Sequence, residues 1–306
     1  MKRFLYFFTL AVILCSCNGK DEIQHTRSAY YWSTTLTLDN VKKQFLSGHR
    51  IDRLYVRYFD VVTDKSGQPT PNATIHFASK IPTDIDVVPT IYITNECMTR
   101  DISGLPEKIL GRILQMNATN GIRNVKEIQI DCDWTLRTQK SYFAFLNCLH
   151  HMAKQKDICL SVTIRLHQLS QTPPPADRGV LMMYNTGDFT DIHCKRPILD
   201  MHDVTPYLKN ISNYGLPLST AYPIFRWKLL YRGGKYVGII HHDEELPILP
   251  GDSIVERIPS LNDILNAKNA ISEIRSDAND EIILFDINNN NILRFKQNEY
   301  EKIYNH

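Results

Sequence analysis

From Ser28 onward the chain alternates two kinds of apolar pattern. Short runs rich in β-branched and aromatic residues predict strands at 28–36 (SAYYWSTTL), 51–61 (IDRLYVRYFDV), 85–94 (IDVVPTIYIT), 126–133 (KEIQIDCD), 158–166 (ICLSVTIRL), 179–185 (GVLMMYN), 217–225 (PLSTAYPIF) and 281–287 (EIILFDI). Apolar residues at helical spacing lie between them, at about 38–47, 105–117, 137–155, 204–213, 260–275 and 294–304. Residues 62–84 are turn-rich and carry no clear helical pattern. Strands alternating with helices are the order of α/β folds with parallel strands. Eight strands in a chain of this length favour a single (β/α)8 TIM-like barrel over a doubly wound open sheet. No G-x-G-x-x-G follows the first strand, which argues further against a dinucleotide-binding sheet. Residues 226–250 interrupt the alternation: RWKLLYRGGKYVGII reads as two strands turning at Arg232-Gly233-Gly234, followed by the acidic loop HHDEELPILPGD. The expectation is a β-hairpin insertion after strand seven, at the barrel end where ligands bind.

The first residues follow another pattern. Lys2 and Arg3 precede an apolar run, Phe4 to Leu14, that is too short to span a bilayer, so residues 1–16 read as a secretory signal. Leu14-Cys15-Ser16-Cys17 resembles a bacterial lipobox. That resemblance implies cleavage before Cys17 and a Cys17 thiol carrying diacylglycerol, with palmitate or a similar chain as a further acyl group. More than one acyl chain anchors a protein stably without a transmembrane helix. Asn18-Gly19-Lys20-Asp21-Glu22 is similar to the surface-export signal on lipoproteins of the Bacteroidota. The organisation expected is a signal at 1–16, a lipidated tether at 17–27 and one barrel domain at 28–306. The location expected is the outer membrane, lipid-anchored at the cell surface, with a periplasm-facing anchor as the alternative.

Composition narrows the partners. The formal net charge of +2, from 35 Lys+Arg against 33 Asp+Glu, gives no basic field of the kind that grips nucleic acid. Of seven cysteines, Cys15 leaves with the signal and Cys17 carries lipid, so five are left: Cys97, Cys132, Cys148, Cys159 and Cys194. An odd number without C-x-x-C spacing reads as buried free thiols, with Cys132, Cys148 and Cys159 inside apolar segments. Asp191-x-His193-Cys194, Asp200-x-His202-Asp203 and His241-His242-Asp243-Glu244-Glu245 hold metal-ligand residue types but lack H-E-x-x-H or a closed tetrahedral set. They read as solvated loops, and neither a metal nor a cofactor is expected.

The chemistry-bearing stretch is Ile128-Gln129-Ile130-Asp131-Cys132-Asp133-Trp134. Strand alternation puts Asp131 and Asp133 on one side, roughly 6–7 Å apart along the backbone, with Cys132 facing the helical layer. Two like charges so close push one pKa up, which suits proton sharing or stabilisation of a developing cation. Arg57 and Arg165, on predicted strands, are candidate ion-pair partners, and the same pair also fits a barrel-rim ion cluster.

IQIDCDWT, the helix with Tyr142, LSVTIRL and VLMMYNTG together resemble a family of uncharacterised bacterial proteins with a glycoside-hydrolase-like TIM barrel, itself similar to family 18 chitinases. Against the chitinase pattern D-x-x-D-x-D-x-E, Asp131 and Asp133 take the second and third acidic positions. Ile128 replaces the first, and Thr135 stands where the general-acid Glu would be. Met183-Tyr184-Asn185 lies near the strand-six M-x-Y-D/N site. The resemblance implies glycoside hydrolysis, with Asp133 as acid or polarising group, Asp131 tuning its charge, and Tyr184 and Asn185 orienting substrate. Thr cannot protonate a leaving oxygen, so either another carboxyl does so (Asp60, Glu96, Asp286 or Asp133 itself) or the barrel binds sugar without cutting it. Trp32, Tyr92, Trp134, Tyr184, Tyr222 and Trp227 lie near predicted strand ends, where aromatic faces stack on sugar rings. The predicted site is therefore Asp131, Asp133, Tyr184 and Asn185, flanked by Trp32, Arg57, Glu96, Trp134, Tyr222, Trp227 and Asp286. Its expected ligand is a carbohydrate.

Overall fold

The computed structural model of the chain describes residues 25–240 and 245–305. The signal, Cys17 and the tether as far as Gln24 lie outside the described residues, as do His241 to Glu244 of the acidic loop.

Eight strands form a closed parallel barrel: β1 (Thr26–Tyr31), β2 (Arg53–Thr63), β3 (Asp86–Ile93), β4 (Glu127–Asp131), β5 (Cys159–Ile164), β6 (Arg178–Met182), β7 (Leu218–Pro223) and β8 (Glu281–Phe285). Each pairs with the next in chain order, and β8 closes the ring on β1 with Thr26 opposite Glu281. Helices α1 (Asn40–Gly48), α2 (Leu105–Asn120), α3 (Gln139–Lys154), α4 (Met201–Leu208), α5 (Leu261–Ile274) and α6 (Gln297–Tyr304) lie along the chain between and after the strands. The expected (β/α)8 architecture holds. Between β2 and β3, where no helical pattern was visible, the chain forms the short strand Pro69–Asn72 antiparallel to β2. Helix α4 begins at Met201, earlier than its periodicity suggested, because Asp200 caps it by accepting the His202 N–H at 2.9 Å. Asp191 accepts the His193 N–H at 2.9 Å in the same way. The two D-x-H motifs are turn and cap chemistry, and the described residues hold no cluster of metal-ligating side chains.

Two expectations need correction. The insertion after β7 is more than the expected hairpin: Trp227–Arg232 and Lys235–Ile239 turn at Gly233-Gly234, and Asp252–Arg257 pairs on the other side of Trp227–Arg232 to make a three-stranded antiparallel sheet. Its third strand begins at Asp252, the last residue of the acidic loop. Cys148 and Cys159 are exposed thiols, since each sits on the outward side of an otherwise apolar segment, and Cys194 is half-buried, whereas Cys97 and Cys132 are buried as expected.

The barrel interior is stacked in layers. The first residues of β2, β4, β6 and β8 are Arg53, Glu127, Arg178 and Glu281, four alternating charges from alternate strands that fill the amino-terminal end. Arg53 lies 3.1 Å from Glu281 and 3.5 Å from Glu127, and Arg178 also bonds both carboxylates. Above them Tyr30 donates to Gln129 at 2.7 Å among Val180, Ala221 and Ile283. The carboxyl-terminal mouth lies above that layer.

Candidate functional site

Positions two apart along each strand face the barrel interior, and those nearest the carboxyl ends form the mouth. β4 supplies Asp131, which is buried, and the residues beyond its end supply Asp133, which is exposed. In register with Asp131 is Tyr92 of β3, and in register with Tyr92 is Asp60 of β2. A bulge between Arg57 and Phe59 turns Arg57 and Asp60 to the same side, three residues apart. They form a two-point ion pair, with Arg57 Nε on Asp60 Oδ1 at 2.7 Å, and the guanidinium lies 5.4 Å from the Trp32 ring.

Arg165, just beyond β5, joins the two predicted carboxylates. Its Nη2 donates to Asp131 Oδ1 at 3.1 Å and its Nε donates to Asp133 Oδ1. Thr163, two residues earlier on β5, donates its hydroxyl to Asp131 Oδ1 at 2.6 Å. Gln168 accepts the Arg165 N–H at 2.8 Å and donates to the Trp134 carbonyl at 3.1 Å, tying the end of β5 to the segment after β4. Burial pushes the Asp131 carboxyl up; Arg165 opposes this and the Asp133 charge adds to it. Burial works against the Arg165 cation, but the Asp131 and Asp133 carboxylates outweigh it and hold its pKa above the ordinary arginine value. The Tyr92 phenol is pushed up to about 12 by burial and by the charges of Asp133 and Asp131. Burial lowers His167, a neighbour of Asp133 and Arg165.

The adjoining wall is aromatic. Tyr184 is buried against Phe285 (ring centroids 4.8 Å apart) and Phe225 (5.7 Å), and Trp32 packs on Phe285 at 5.4 Å. Trp227, at the base of the inserted sheet, contacts Phe225 at 5.4 Å and Phe189 at 5.2 Å. Asn185 is exposed at the end of β6 with φ 57°, a left-handed conformation that Asn tolerates better than most residues. A cleft of about 360 Å³ beside α6, lined by Lys268, Asn269, Glu301 and Lys302, has neither the paired carboxylates nor an aromatic wall.

The fold therefore places Asp131, Asp133, Tyr184, Trp32, Arg57 and Trp227 from the predicted set at the mouth, leaves Asn185 exposed past the end of β6, and moves four others away. Trp134 is buried in the helical layer, its ring stacked on Tyr142 with centroids 6.0 Å apart. Tyr222 is buried and donates its hydroxyl to Asn279 at 2.9 Å, also outside the barrel. Asp286 accepts from Asn291 at 2.6 Å behind β8, where burial pushes its carboxyl up to about 6. Glu96 lies on the surface, paired with Arg100 at 2.8 Å. Trp134, Tyr222 and Asp286 have the wrong parity for the barrel interior. Thr163 and Gln168 were not predicted; for Thr163 the signal was its spacing of two from Arg165. Thr135 is exposed, and its backbone N–H donates to the Thr138 hydroxyl at 3.0 Å in the turn before α3.

No protein-family model matches the chain, and no curated protein matches it in sequence. Solved structures share the fold. The spore cortex-lytic enzyme SleL of Bacillus megaterium superposes with TM-score 0.60 at 13% identity, over 92% of this chain and 74% of its own. A chitinase from Chromobacterium violaceum gives 0.59 at 10% identity, over 91% and 98%. One from Bacteroides thetaiotaomicron gives 0.57 at 14%, over 92% and 97%. The chain thus shares its closed eight-stranded barrel with these enzymes.

Proposed function

We propose that this protein is a glycan-binding lipoprotein whose barrel mouth takes a carbohydrate without hydrolysing it. The observation that carries the reading is the state of the acidic groups. Glycoside hydrolysis needs a carboxyl group free to protonate the leaving oxygen. Here Asp131 and Asp133 share Arg165, Asp60 is committed to Arg57, Asp286 and Glu96 lie elsewhere, and Thr135 stands at the acid position. What the mouth keeps is suited to binding: Trp32, Phe285 and Trp227 offer ring faces beside Asp133, Tyr92 and Asn185 as hydrogen-bonding groups. The lipobox at Leu14 to Cys17 supports an outer-membrane lipid anchor, with the mouth presented at the cell surface.

The test is a glycan array on the purified chain, followed by product analysis on whatever binds. Binding without reducing-end release is the expected outcome, and in Asp133→Asn the affinity falls by about tenfold, the value of one charge-assisted hydrogen bond. Release of new reducing ends by the wild-type protein would make it a hydrolase and end this reading.

A further inference from the structure

Arg165 places its positive charge between the two carboxylates of the mouth. Glycoside hydrolysis passes through an oxocarbenium-like transition state, and a pair of carboxylates helps by meeting positive charge that grows there. Only interactions stronger in the transition state than in the ground state accelerate a reaction. A carboxylate pair already compensated by a built-in cation has little left to gain.

We propose that Arg165 is a positioning residue that holds Asp131 and Asp133 as one fixed, charge-compensated unit, standing where the positive charge of a glycosyl transition state would otherwise meet them. Three observations support it. The guanidinium uses two different nitrogens, Nη2 for Asp131 and Nε for Asp133, so a single planar group sets the geometry of both. Its backbone is fixed from behind by Gln168, whose other bond reaches the Trp134 carbonyl one residue past Asp133. Asp131 is buried, and Arg165 is the neighbour that opposes most strongly the effect of that burial on its carboxyl. The titratable and charged groups around Asp131 are Tyr30 of β1, Asp60 of β2, Tyr92 of β3, Cys132 and Asp133 after β4, Arg165 after β5, Tyr184 after β6 and Tyr142 of α3. Of these, Arg165 carries the positive charge.

Arg165, like Thr135 and Ile128, separates this mouth from hydrolysis, so supplying the acid alone leaves the barrel a binder. The functional meaning of this arrangement rests on the glycan-binding reading, but its physical content does not.

The experiment titrates the full chain with ¹³C-labelled aspartate carboxyls in the wild type, Arg165→Lys and Arg165→Gln. In Arg165→Gln the Asp131 midpoint rises by about one pH unit or more, a tenfold change in proton affinity, while Arg165→Lys stays close to wild type. An Asp131 midpoint unmoved in Arg165→Gln overturns the proposal. The second measurement survives even if that variant does not fold: Thr135→Glu is assayed for reducing-end release on a glycan the wild type binds. Binding without release supports the proposal, and turnover by Thr135→Glu alone overturns it. A wild type that binds no glycan refutes the functional reading and leaves the titration to judge Arg165.

Discussion

At the scale of single residues, what decides a role at the mouth is the direction of the side chain, not its nearness to a strand end. Trp32 and Trp134 make the contrast. Trp32 follows β1 in phase with Ser28 and Tyr30 and packs on Phe285 beside Arg57, with part of its ring open to solvent. Trp134 is out of phase with Asp131 and buried against Tyr142 and Phe143. Trp32→Ala is expected to lower glycan affinity about tenfold while leaving the melting temperature nearly unchanged, as loss of a stacking face does. Trp134→Ala is expected to cost about 3–5 kcal/mol of stability through the cavity it leaves, with the affinity of the folded fraction unaltered. Titration calorimetry and denaturant unfolding on the two variants check this, and exchanged phenotypes would refute the assignment. The period of two was readable in each strand, so the places of Trp134, Tyr222 and Asp286 were legible without coordinates. The Arg57–Asp60 pair was not: their spacing of three puts them on opposite faces of a regular strand, and the bulge between Arg57 and Phe59 is what brings them together.

At the scale of elements, the inserted sheet gives the mouth its outer wall. It is fixed to the segment after β6, where Arg257 donates to the Cys194 carbonyl at 2.9 Å and the Ile192 carbonyl at 2.7 Å, and Tyr231 donates to the Phe189 carbonyl at 2.8 Å. Within the sheet the bond that ties the ends is Arg232 to Asp252, two parallel contacts of 2.9 Å. Hydrogen bonds from Arg232 and from the Leu249 N–H hold the Asp252 carboxyl down to about 2. Asp252→Ala should therefore loosen this sheet without touching the barrel. Hydrogen exchange is expected to accelerate at the amides of 227–232 and 252–257 and stay unchanged in β1 to β8; acceleration throughout would mean that the sheet supports the barrel itself. The first two strands were legible because Gly233-Gly234 marks a tight turn between two apolar runs. The third was hidden because Asp252–Arg257 holds only two apolar residues, Ile254 and Val255, side by side among polar ones, so it shows no strand pattern of its own and draws its stability from pairing with Trp227–Arg232.

At the scale of the whole molecule, the two ends of the barrel do different work. The amino-terminal end is held by Arg53, Glu127, Arg178 and Glu281. Glu281 also accepts from Ser28 at 2.6 Å and Ser219 at 2.9 Å. Burial pushes its carboxyl up, but Arg178 and Arg53 outweigh this and hold it below the ordinary glutamate value, whereas Glu127, with longer contacts, is pushed up by burial. A depressed carboxyl contributes stability above its unfolded pKa and loses it as pH falls through the folded value. Glu281→Gln should thus cost on the order of 3 kcal/mol at pH 7 and flatten the loss of stability below about pH 4.5. Glu127→Gln should cost less, and the reverse order in urea unfolding at pH 7 and pH 4 would count against this layer as the lock. The same end is where the chain enters, since β1 starts at Thr26, nine residues after Cys17. An extended tether of that length reaches about 30 Å, so a lipid on Cys17 would keep the amino-terminal end toward the bilayer and leave the mouth facing away from it. Cys17→Ala is accordingly expected to lose palmitate labelling and move from the membrane to the soluble fraction. The anchored and soluble forms should bind glycan equally, because a lipid on Cys17 would be tethered to the end of the barrel opposite the Asp131–Arg165–Asp133 unit; an anchored form that cannot bind would place the mouth against the membrane instead.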